Sequence, residues 1–355
     1  MSGEERFAER VLGSVLATMD VFSIHLGDRL GYYRVLAEGP ATAGRLAERT
    51  GTDARYAREW LEQQAVTGIL EVEDETDDAD ARRFSLPAAH AEVLTDETSF
   101  SFLAPLPRML AAAGLQLPSL LDAYRTGGGV SWQRFGSDMR ESQADINRPA
   151  LQQLLGREYL RQVPDVFERL SSGPAAVADL GCGAGWSSIG IAEAFPLATV
   201  RGFDVDAPTV ELARKNASDA AVADRVTFEV VDASDRSLSG DHDLVIAIEC
   251  VHDLARPVEF LATMRRLAAR SGAVLVGDMK VAETFTAPGD DIERLMYGYS
   301  ILVCLPDGRS QPDSAATGTA MRPSTLERYA KEAGFDSVEV LPIETDFWRF
   351  YRLRA

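Results

Sequence analysis

A glycine-rich turn near the middle of the chain has residue types that suit ligand binding. Gly181, Gly183 and Gly185 separate an apolar run, 176–180, from the segment 186–195, whose apolar residues recur at helical spacing. Glycine permits positive φ and carries no Cβ atom, so a ligand can lie against the backbone. The unpaired N–H groups that begin the next helix suit a carboxylate or a phosphate. This pattern is typical of a nucleotide site, and also of a tight strand-to-helix turn that binds nothing.

The residue after the third glycine separates two classes of nucleotide cofactor. A dinucleotide-binding turn has a glycine at the position that Trp186 occupies here. S-adenosylmethionine contains no pyrophosphate and does not require that glycine. The sequence therefore favours S-adenosylmethionine over NAD, and an NAD-dependent oxidoreductase is the alternative that Trp186 disfavours.

Three aspartates fall at the expected ends of three strands. Asp179 lies at the end of the first strand, Asp204 near the end of the segment 199–206, and Asp232 at the end of the segment 226–232. An acid placed like Asp204, about twenty residues beyond the glycines, can accept hydrogen bonds from ribose hydroxyls. Ligands of an open parallel sheet bind outside the carboxyl ends of its strands. Helix capping is the alternative role, but it does not explain all three acids beside a triple-glycine turn.

From Ala176 to Ala355 these features resemble a class I S-adenosylmethionine-dependent methyltransferase. The resemblance implies that the glycine loop and Asp179 hold or support the methionine part of the cofactor. It also implies that Asp204 binds the ribose and Asp232 the adenine amino group. The predicted cofactor-binding residues are Asp179, Gly181, Cys182, Gly183, Gly185, Asp204, Val205, Asp232 and Ala233.

The segment 250–278 resembles small-molecule methyltransferases of plant and natural-product type, in which a His-Asp pair precedes a helix and the fifth strand. The resemblance implies that His252 is the general base for the acceptor hydroxyl, and an imidazole can take a proton near neutral pH. Asp278 matches the family acid that holds the imidazole. Glu249 is a further catalytic candidate, which could instead reach the cofactor amino group or the acceptor.

The chain departs from that family at Leu254, because a tryptophan usually follows the His-Asp pair. His252 could therefore be a residue that packs at the start of a helix. In that case, positioning of an acidic or electron-rich acceptor would be enough for methyl transfer.

The composition indicates a globular protein without a nucleic acid or membrane partner. Hydrophobic residues make up 46% and charged residues 26% of the 355 residues, which is ordinary for a soluble protein. The net charge of −19 disfavours contact with a phosphate backbone. We find no signal-like start and no apolar run near the roughly 20 residues that span a bilayer, so we expect a cytoplasmic protein. Three cysteines and four histidines without ligand spacing predict no metal site.

The N-terminal segment is predicted to be a helical, winged-helix domain. Apolar spacing indicates helices in 7–33 and 41–72, and short runs at 70–72 and 83–86 would form the hairpin that follows. This order of elements also begins the small-molecule methyltransferases named above, where it serves dimerisation. Many bacterial repressors begin in the same way, so a transcription regulator with a methyltransferase-like ligand sensor is the first alternative.

Charge disfavours the regulator. The candidate recognition helix, 53–67, sets Arg55 and Arg58 against three acids. The wing, 71–80, contains seven acids and no basic residue, whereas a wing that meets DNA normally carries lysine or arginine. We interpret the acidic run as a solvated loop tip.

Two segments are expected to shape an acceptor pocket. The helical segment 98–172, which would link the two domains, resembles the linker of the small-molecule methyltransferases. In that family, aromatic residues and an asparagine of the linker line the acceptor pocket. The insertion 284–323 contains an amphipathic stretch, 291–304, that we expect over the mouth of the site. Core packing is the alternative for the aromatic linker residues and for the amphipathic stretch. The candidate substrate-binding residues are Trp132, Phe135, Asn147, Met296, Tyr297 and Tyr299.

The sequence therefore predicts an α/β protein with three parts. A winged-helix dimerisation domain covers 1–97, a helical linker 98–172, and a Rossmann-like domain with a seven-stranded, mostly parallel sheet 173–355. The predicted activity is S-adenosylmethionine-dependent methyl transfer to an oxygen, nitrogen or carbon atom of a small, aromatic natural-product acceptor, by a homodimer.

Overall fold

The structure is a computed structural model that describes residues 1–73, 76, 78–235 and 237–355. The chain divides into two compact units. The first unit comprises 1–115 and 137–149, and the second comprises 116–136 and 150–355. The residues of the predicted linker, 98–172, are divided between these two units. Three residues of the predicted acidic wing, at 74, 75 and 77, lie outside the described residues.

The first unit is mainly helical, with one short hairpin. Asp53 caps the helix Ala54–Val66 by accepting hydrogen bonds from the backbone N–H groups of Arg55 and Tyr56. The helical region expected over 7–33 is interrupted at Gly31, where the chain adopts the left-handed conformation before a second helix begins. The elements are α1 (Gly3–Arg29), α2 (Tyr32–Ala37), α3 (Ala43–Thr50), α4 (Ala54–Val66), β1 (Glu71–Val72), β2 (Phe84–Ser85), α5 (Ala88–Thr95) and α6 (Pro105–Gly114).

A buried charge network connects helices of the first unit. Arg108 lies 3.0 Å from Asp28 and 2.8 Å from Asp145, and the side chains of Arg108 and Asp28 are buried. Burial of an unpaired guanidinium would be costly, so the two carboxylates allow Arg108 to lie inside the unit.

Helix α1 has an exposed apolar side. By length and composition, α1 is long and apolar enough to cross a membrane, and such a helix near a chain start is weak evidence for a membrane span. The large apolar residues of α1 that are exposed are spaced so that they share one side of the helix. The exposed members are Phe7, Val11, Leu12, Val15, Leu16, Met19, Phe22 and Leu26.

Helices α7 (Leu117–Thr126) and α8 (Trp132–Ala150) follow. Residues 132–136 of α8 belong to the second unit and 137–149 to the first, and Gly136 interrupts the helical backbone with φ 79°. A π-helix, Leu151–Tyr159, and α9 (Pro164–Ser171) then lead into the sheet of the second unit.

The second unit contains the predicted seven-stranded sheet and therefore confirms the fold class. The strands are β3 (Ala175–Leu180), β4 (Ala198–Asp204), β5 (Val226–Val230), β6 (His242–Ile248), β7 (Ala268–Met279), β8 (Ser337–Val340) and β9 (Trp348–Arg354). Their order is β5-β4-β3-β6-β7-β9-β8, and only the pairings of β9 with β7 and β8 are antiparallel. The helices are α10 (Trp186–Ala194), α11 (Ala207–Asp219), α12 (Pro257–Leu267), α13 (Asp291–Tyr299), α14 (Leu305–Gly308) and α15 (Pro323–Glu332).

The strand order places a crevice at the carboxyl ends of β3, β4 and β6. After β3 the chain adds β4 and β5 on one side and then returns to add β6 on the other. Connections therefore leave β3 and β6 in opposite directions, which opens the space outside their carboxyl ends. Strand β5 ends at Val230. Asp232 therefore lies beyond the strand that was expected, over 226–232, to contain it.

Candidate active site

The glycine turn follows β3 directly. The N–H groups of Gly181 and Cys182 donate to the carbonyl oxygen of Phe203, at 2.8 and 3.1 Å. Gly181, Gly183 and Gly185 all adopt positive φ, as their residue type allows. Helix α10 starts immediately afterwards, at Trp186, and its first N–H groups point towards the turn.

The three glycines have different roles. A Cβ atom on Gly181 would lie 2.7 Å from the Cys250 thiol, and one on Gly185 would lie 2.6 Å from the Phe228 ring. These two glycines permit close packing inside the protein. A Cβ atom on Gly183 would meet nothing within 4 Å. Of the three, Gly183 is therefore the position beside which a ligand has room.

Asp179 supports the turn from inside the protein. Its Oδ2 accepts hydrogen bonds from the hydroxyls of Ser187 and Ser188, at 2.5 and 2.6 Å, and so ties the end of β3 to the start of α10. Burial raises the pKa of Asp179 to about 6, although the two hydroxyls act in the opposite direction. The carboxyl group is buried, so its geometry fits support of the turn better than direct contact with a ligand.

Asp204 closes β4 next to the turn. Its Oδ2 accepts from the Gly183 N–H and its Oδ1 from the Asp206 N–H, both at 2.9 Å. Burial raises the pKa of Asp204. These two bonds orient the carboxylate at the crevice, where each oxygen still has a second lone pair for a ligand. The adjacent Val205 side chain is 61% exposed.

Asp232 lies on the loop after β5, where it pairs with Arg256. Its Oδ2 accepts from the Arg256 guanidinium at 2.5 Å, and its Oδ1 accepts from the Ser234 N–H at 2.8 Å. A ligand amino group at Asp232 would therefore share the carboxylate with Arg256. Ala233, the next residue, is buried.

His252 and Asp278 meet at the ends of β6 and β7. Nδ1 of His252 lies 2.6 Å from Oδ1 of Asp278, and both side chains are buried. The parallel register of the two strands pairs Ile248 with Gly277, which places the residues after each strand at the same edge. Asp278 thus holds Nδ1 as its hydrogen-bond donor and leaves Nε2 for another partner.

That partner of Nε2 is Asp253, the second residue of the His-Asp pair, whose sequence position alone indicated no separate role. Oδ1 of Asp253 lies 3.3 Å from Nε2. Burial lowers the pKa of His252, but the carboxylates of Asp253 and Asp278 outweigh it and raise the pKa well above its usual value. While both acids face the ring, the imidazolium form is therefore favoured.

Cys304 joins the same cluster from the insertion. Its sulfur lies within 4.8 Å of a ring nitrogen of His252 and of a carboxylate oxygen of Asp253, and burial raises the pKa of the thiol to about 12. Cys304 ends a π-helix, Ser300–Cys304, that extends α13. The amphipathic spacing over 291–304 correctly placed a helical segment here, but no spacing signal connects Cys304 with a histidine 52 positions earlier.

Glu249 has a strained backbone next to this cluster. Its φ is 58°, a conformation that a non-glycine residue adopts at a cost of about 1–3 kcal/mol. The Trp348 indole N–H donates to its Oε2 at 2.9 Å. Glu249 and Cys304 both raise the pKa of Tyr299, after the larger effect of burial. Glu249 and the predicted substrate residue Tyr299 are thus close to the His252 cluster.

Among the other predicted substrate residues, Trp132 has the clearest link to this region. Its backbone N–H donates to Oδ1 of Asp307 at 2.7 Å. Burial, and then the charge of Asp253, raise the pKa of Asp307 to about 7. Trp132 is therefore bonded to an acid whose pKa responds to the charge of Asp253.

The remaining candidates have other surroundings. Phe135 and Met296 are buried, which agrees with the packing alternative. Tyr297 is 38% exposed, and its hydroxyl accepts from Arg322 at 3.1 Å. Asn147 belongs to the first unit, whereas the rest of the predicted set belongs to the second.

Two family models match separate parts of the chain. Residues 172–305 match a family described as a methyltransferase domain. Residues 17–96 match a family described as an Rv2258c-like winged HTH domain. The first match covers the glycine turn, the three aspartates and the His252 cluster up to Leu305.

Similar proteins of known name include methyltransferases. Over 113 residues, 32% of this chain and 38% of the relative, the sequence is 26% identical to norajmaline N-methyltransferase of Rauvolfia serpentina. Over 126 residues, 35% of this chain and 45% of the relative, it is 29% identical to methyltransferase GfsG of Streptomyces halstedii. The matches therefore span less than half the length of these curated relatives.

Solved structures match nearly the whole chain. Mitomycin 7-O-methyltransferase has a TM-score of 0.73 at 22% identity, covering 99% of this chain and 98% of that one. Human N-acetylserotonin methyltransferase, solved in complex with SAM, has a TM-score of 0.71 at 19% identity, covering 100% and 99%. At this level of identity, the two structures establish the fold.

Proposed function

From a chain that carries a methyltransferase domain and, before it, a winged helix domain, we infer an S-adenosylmethionine-dependent methyltransferase that acts on a small-molecule acceptor. The observation that carries this proposal is the buried pair of His252 Nδ1 and Asp278 Oδ1, 2.6 Å apart, at the sheet edge that also bears the glycine turn. The turn supplies a place for a nucleotide, and the pair supplies a place for proton transfer.

The residues around the turn fit S-adenosylmethionine. This cofactor supplies an electrophilic methyl group when it is bound. Gly183 leaves room beside the backbone, and the N–H groups at the start of α10 suit a carboxylate such as that of a methionine moiety. Asp204 offers lone pairs to ribose hydroxyls, and Asp232 offers a shared carboxylate to an amino group.

His252 is the proposed general base. Asp278 fixes the ring orientation and stabilises the imidazolium that forms when Nε2 accepts a proton from an acceptor hydroxyl. Asp253 occupies that side of the ring in this structure. An acceptor hydroxyl that replaces Asp253 at Nε2 would remove one of the two carboxylates that favour the imidazolium, so the ring would become available as a base.

The cofactor assignment is tested by isothermal titration calorimetry of the purified protein with S-adenosylhomocysteine, using NAD as the control. We expect binding of S-adenosylhomocysteine in the micromolar range and no heat of binding with NAD. Binding of NAD alone, or of neither compound, would contradict the proposed function.

Charge in the winged helix domain supports an enzyme rather than a transcription regulator. Arg55 pairs with Glu59 at 2.5 Å on α4, Arg58 with Asp80 at 3.1 Å, and Arg82 with Glu62 at 2.8 Å. These arginines are already neutralised by acids of the same domain. We therefore propose that this domain does not bind nucleic acid and instead contributes to dimerisation.

The exposed apolar side of α1 is the proposed dimer contact. A contiguous apolar stripe of this kind is uncommon on a soluble monomer and typically marks an interaction site. The net charge of −19 would be repelled by anionic lipid headgroups, which favours a second copy of the chain over a membrane surface. We accordingly propose a cytoplasmic homodimer that acts in natural-product biosynthesis.

Charges placed on the stripe should weaken the dimer. We expect the double variant Val15→Glu, Met19→Glu to shift the protein from dimer to monomer at micromolar concentration, as measured by sedimentation velocity. Leu197→Glu, which adds an acid at another exposed apolar position, is the matched control and should remain dimeric. A wild-type protein that sediments as a monomer, or a double variant that stays dimeric, would rule out this contact.

A further inference from the structure

The cluster around His252 contains three different potential metal ligands, of which His252 is buried and Asp253 and Cys304 are half-buried. Nε2 of His252, a carboxylate oxygen of Asp253 and the thiol sulfur of Cys304 all lie within 4.8 Å of one another. Among the described residues, the buried Oδ1 of Asp253 has no hydrogen-bond partner, although Nε2 lies 3.3 Å from it. A buried oxygen without a partner is costly unless something else satisfies it.

The hydrogen bond on the other side of the imidazole prepares it as a ligand. Asp278 holds Nδ1 at 2.6 Å, so the lone pair for coordination belongs to Nε2, which faces Asp253. A carboxylate on the second ring nitrogen is the usual outer partner of a metal-binding histidine. Asp278 therefore has the position of such a partner.

Charge and size also fit a divalent cation. Besides Asp253, the carboxyls of Asp278 and Asp307 act on this cluster, so acids outnumber the one imidazole. Zinc bonds to nitrogen, oxygen and sulfur at about 2.0–2.3 Å, which in tetrahedral geometry separates its ligands by about 3.3–3.8 Å. Contraction of the cluster by about 1 Å would meet that requirement.

We propose that His252, Asp253 and Cys304 bind a zinc ion, with Asp278 as the outer partner of His252. The ion would take up the Nε2 lone pair and a carboxylate oxygen of Asp253, and the thiol of Cys304 would lose its proton to solvent as the Zn–S bond forms. Three protein ligands leave a fourth position for water or for an oxygen of a small molecule.

This site changes the expectation from the sequence, in which no metal was predicted. If the proposed function is correct, zinc and the acceptor proton compete for the same nitrogen. Zinc would then inhibit methyl transfer by occupying Nε2 of His252, a consequence that rests on the proposed function. Binding of the zinc ion itself does not depend on the proposed function.

The test is metal binding by the full-length protein after removal of metals with a chelator. Cobalt(II) is the spectroscopic probe, because a cobalt–thiolate bond gives a near-ultraviolet charge-transfer band. We expect one cobalt or zinc ion per chain, with the band present in wild type and absent in Cys304→Ser. Cys250→Ser is the matched control, since Cys250 is also a half-buried cysteine of this unit, and it should keep the band.

A second variant distinguishes loss of a ligand from loss of folding. Asp253→Asn should weaken zinc at least 10-fold, measured by competition with a coloured chelator, while its thermal unfolding transition stays cooperative. Unchanged zinc affinity in both Cys304→Ser and Asp253→Asn, or cobalt binding without a thiolate band, would overturn the site. Zinc binding that leaves turnover unaffected would support the site and contradict His252 as the base, and the titration with S-adenosylhomocysteine tests the cofactor assignment separately.

Discussion

Replacement of His252 by alanine is expected to lower turnover by about 10²–10⁴-fold, the usual contribution of a general base. The affinity for S-adenosylhomocysteine should stay within about twofold of wild type, because His252 contacts Asp278, Asp253 and Cys304 rather than the glycine turn. Removal of the imidazole also leaves the buried carboxylate of Asp278 and the half-buried carboxylate of Asp253 without that cation. The variant is therefore compared with wild type by thermal unfolding before its turnover is measured.

The control for this variant is His90→Ala. His90 lies in the first unit and bonds to the carbonyl oxygen of Ile69 through Nδ1, at 2.8 Å. The substitution His90→Ala removes an imidazole from the first unit and leaves the second unit unchanged, so turnover should change little. Turnover of His252→Ala equal to wild type on the true acceptor would remove His252 from the mechanism and leave positioning alone as the source of the rate.

The second large effect is expected at Asp204. Asp204→Ala should weaken binding of S-adenosylhomocysteine by about 10- to 150-fold, which corresponds to the roughly 1.5–3 kcal/mol of a hydrogen bond to a charged group. The carboxylate also accepts the Gly183 N–H, so its loss loosens the turn that holds the ligand. Asp204→Asn keeps one acceptor oxygen and should fall between Asp204→Ala and wild type. Calorimetric titration measures all three proteins.

An exposed acid provides the matched control for Asp204. Asp219 ends α11 and pairs with Lys215 on the surface, so Asp219→Ala removes a carboxylate from the same unit without affecting the turn. Its affinity should equal that of wild type. If Asp204→Ala binds S-adenosylhomocysteine as tightly as wild type, the ribose is not bound at the end of β4 and the assignment of Asp204 is wrong.

Periodic patterns in the sequence were sufficient to predict the sheet. Strands β3, β4, β5 and β6 are short apolar or alternating runs bounded by turn residues. Such runs predict strands reliably here because the sheet buries their apolar side chains. The bounds were less accurate. The strand expected over 226–232 ends at Val230, and strand β7 extends over Ala268–Met279, because pairing with β6 and β9 adds residues whose types do not indicate a strand.

The sequence also contained the principal pair of the candidate site. His252 follows β6 and Asp278 lies at the carboxyl end of β7, and two neighbouring parallel strands bring their carboxyl ends to one edge, so their meeting could be anticipated. The cap of α4 by Asp53 is also visible from the sequence, because a capping side chain bonds only to the next few backbone N–H groups.

The sequence did not predict the contacts between side chains of distant segments. Cys304 reaches His252 from a helical insertion, and Arg256 covers Asp232, because chain packing brings together side chains that no fixed spacing relates. The different roles of the three glycines were also hidden for this reason. Their residue type is identical, and it does not reveal that Cys250 fills the space beside Gly181 and Phe228 the space beside Gly185. Residue type and spacing thus account for the fold and the sites of its turns, whereas the partners of each functional side chain depend on which surfaces the folded chain presses together.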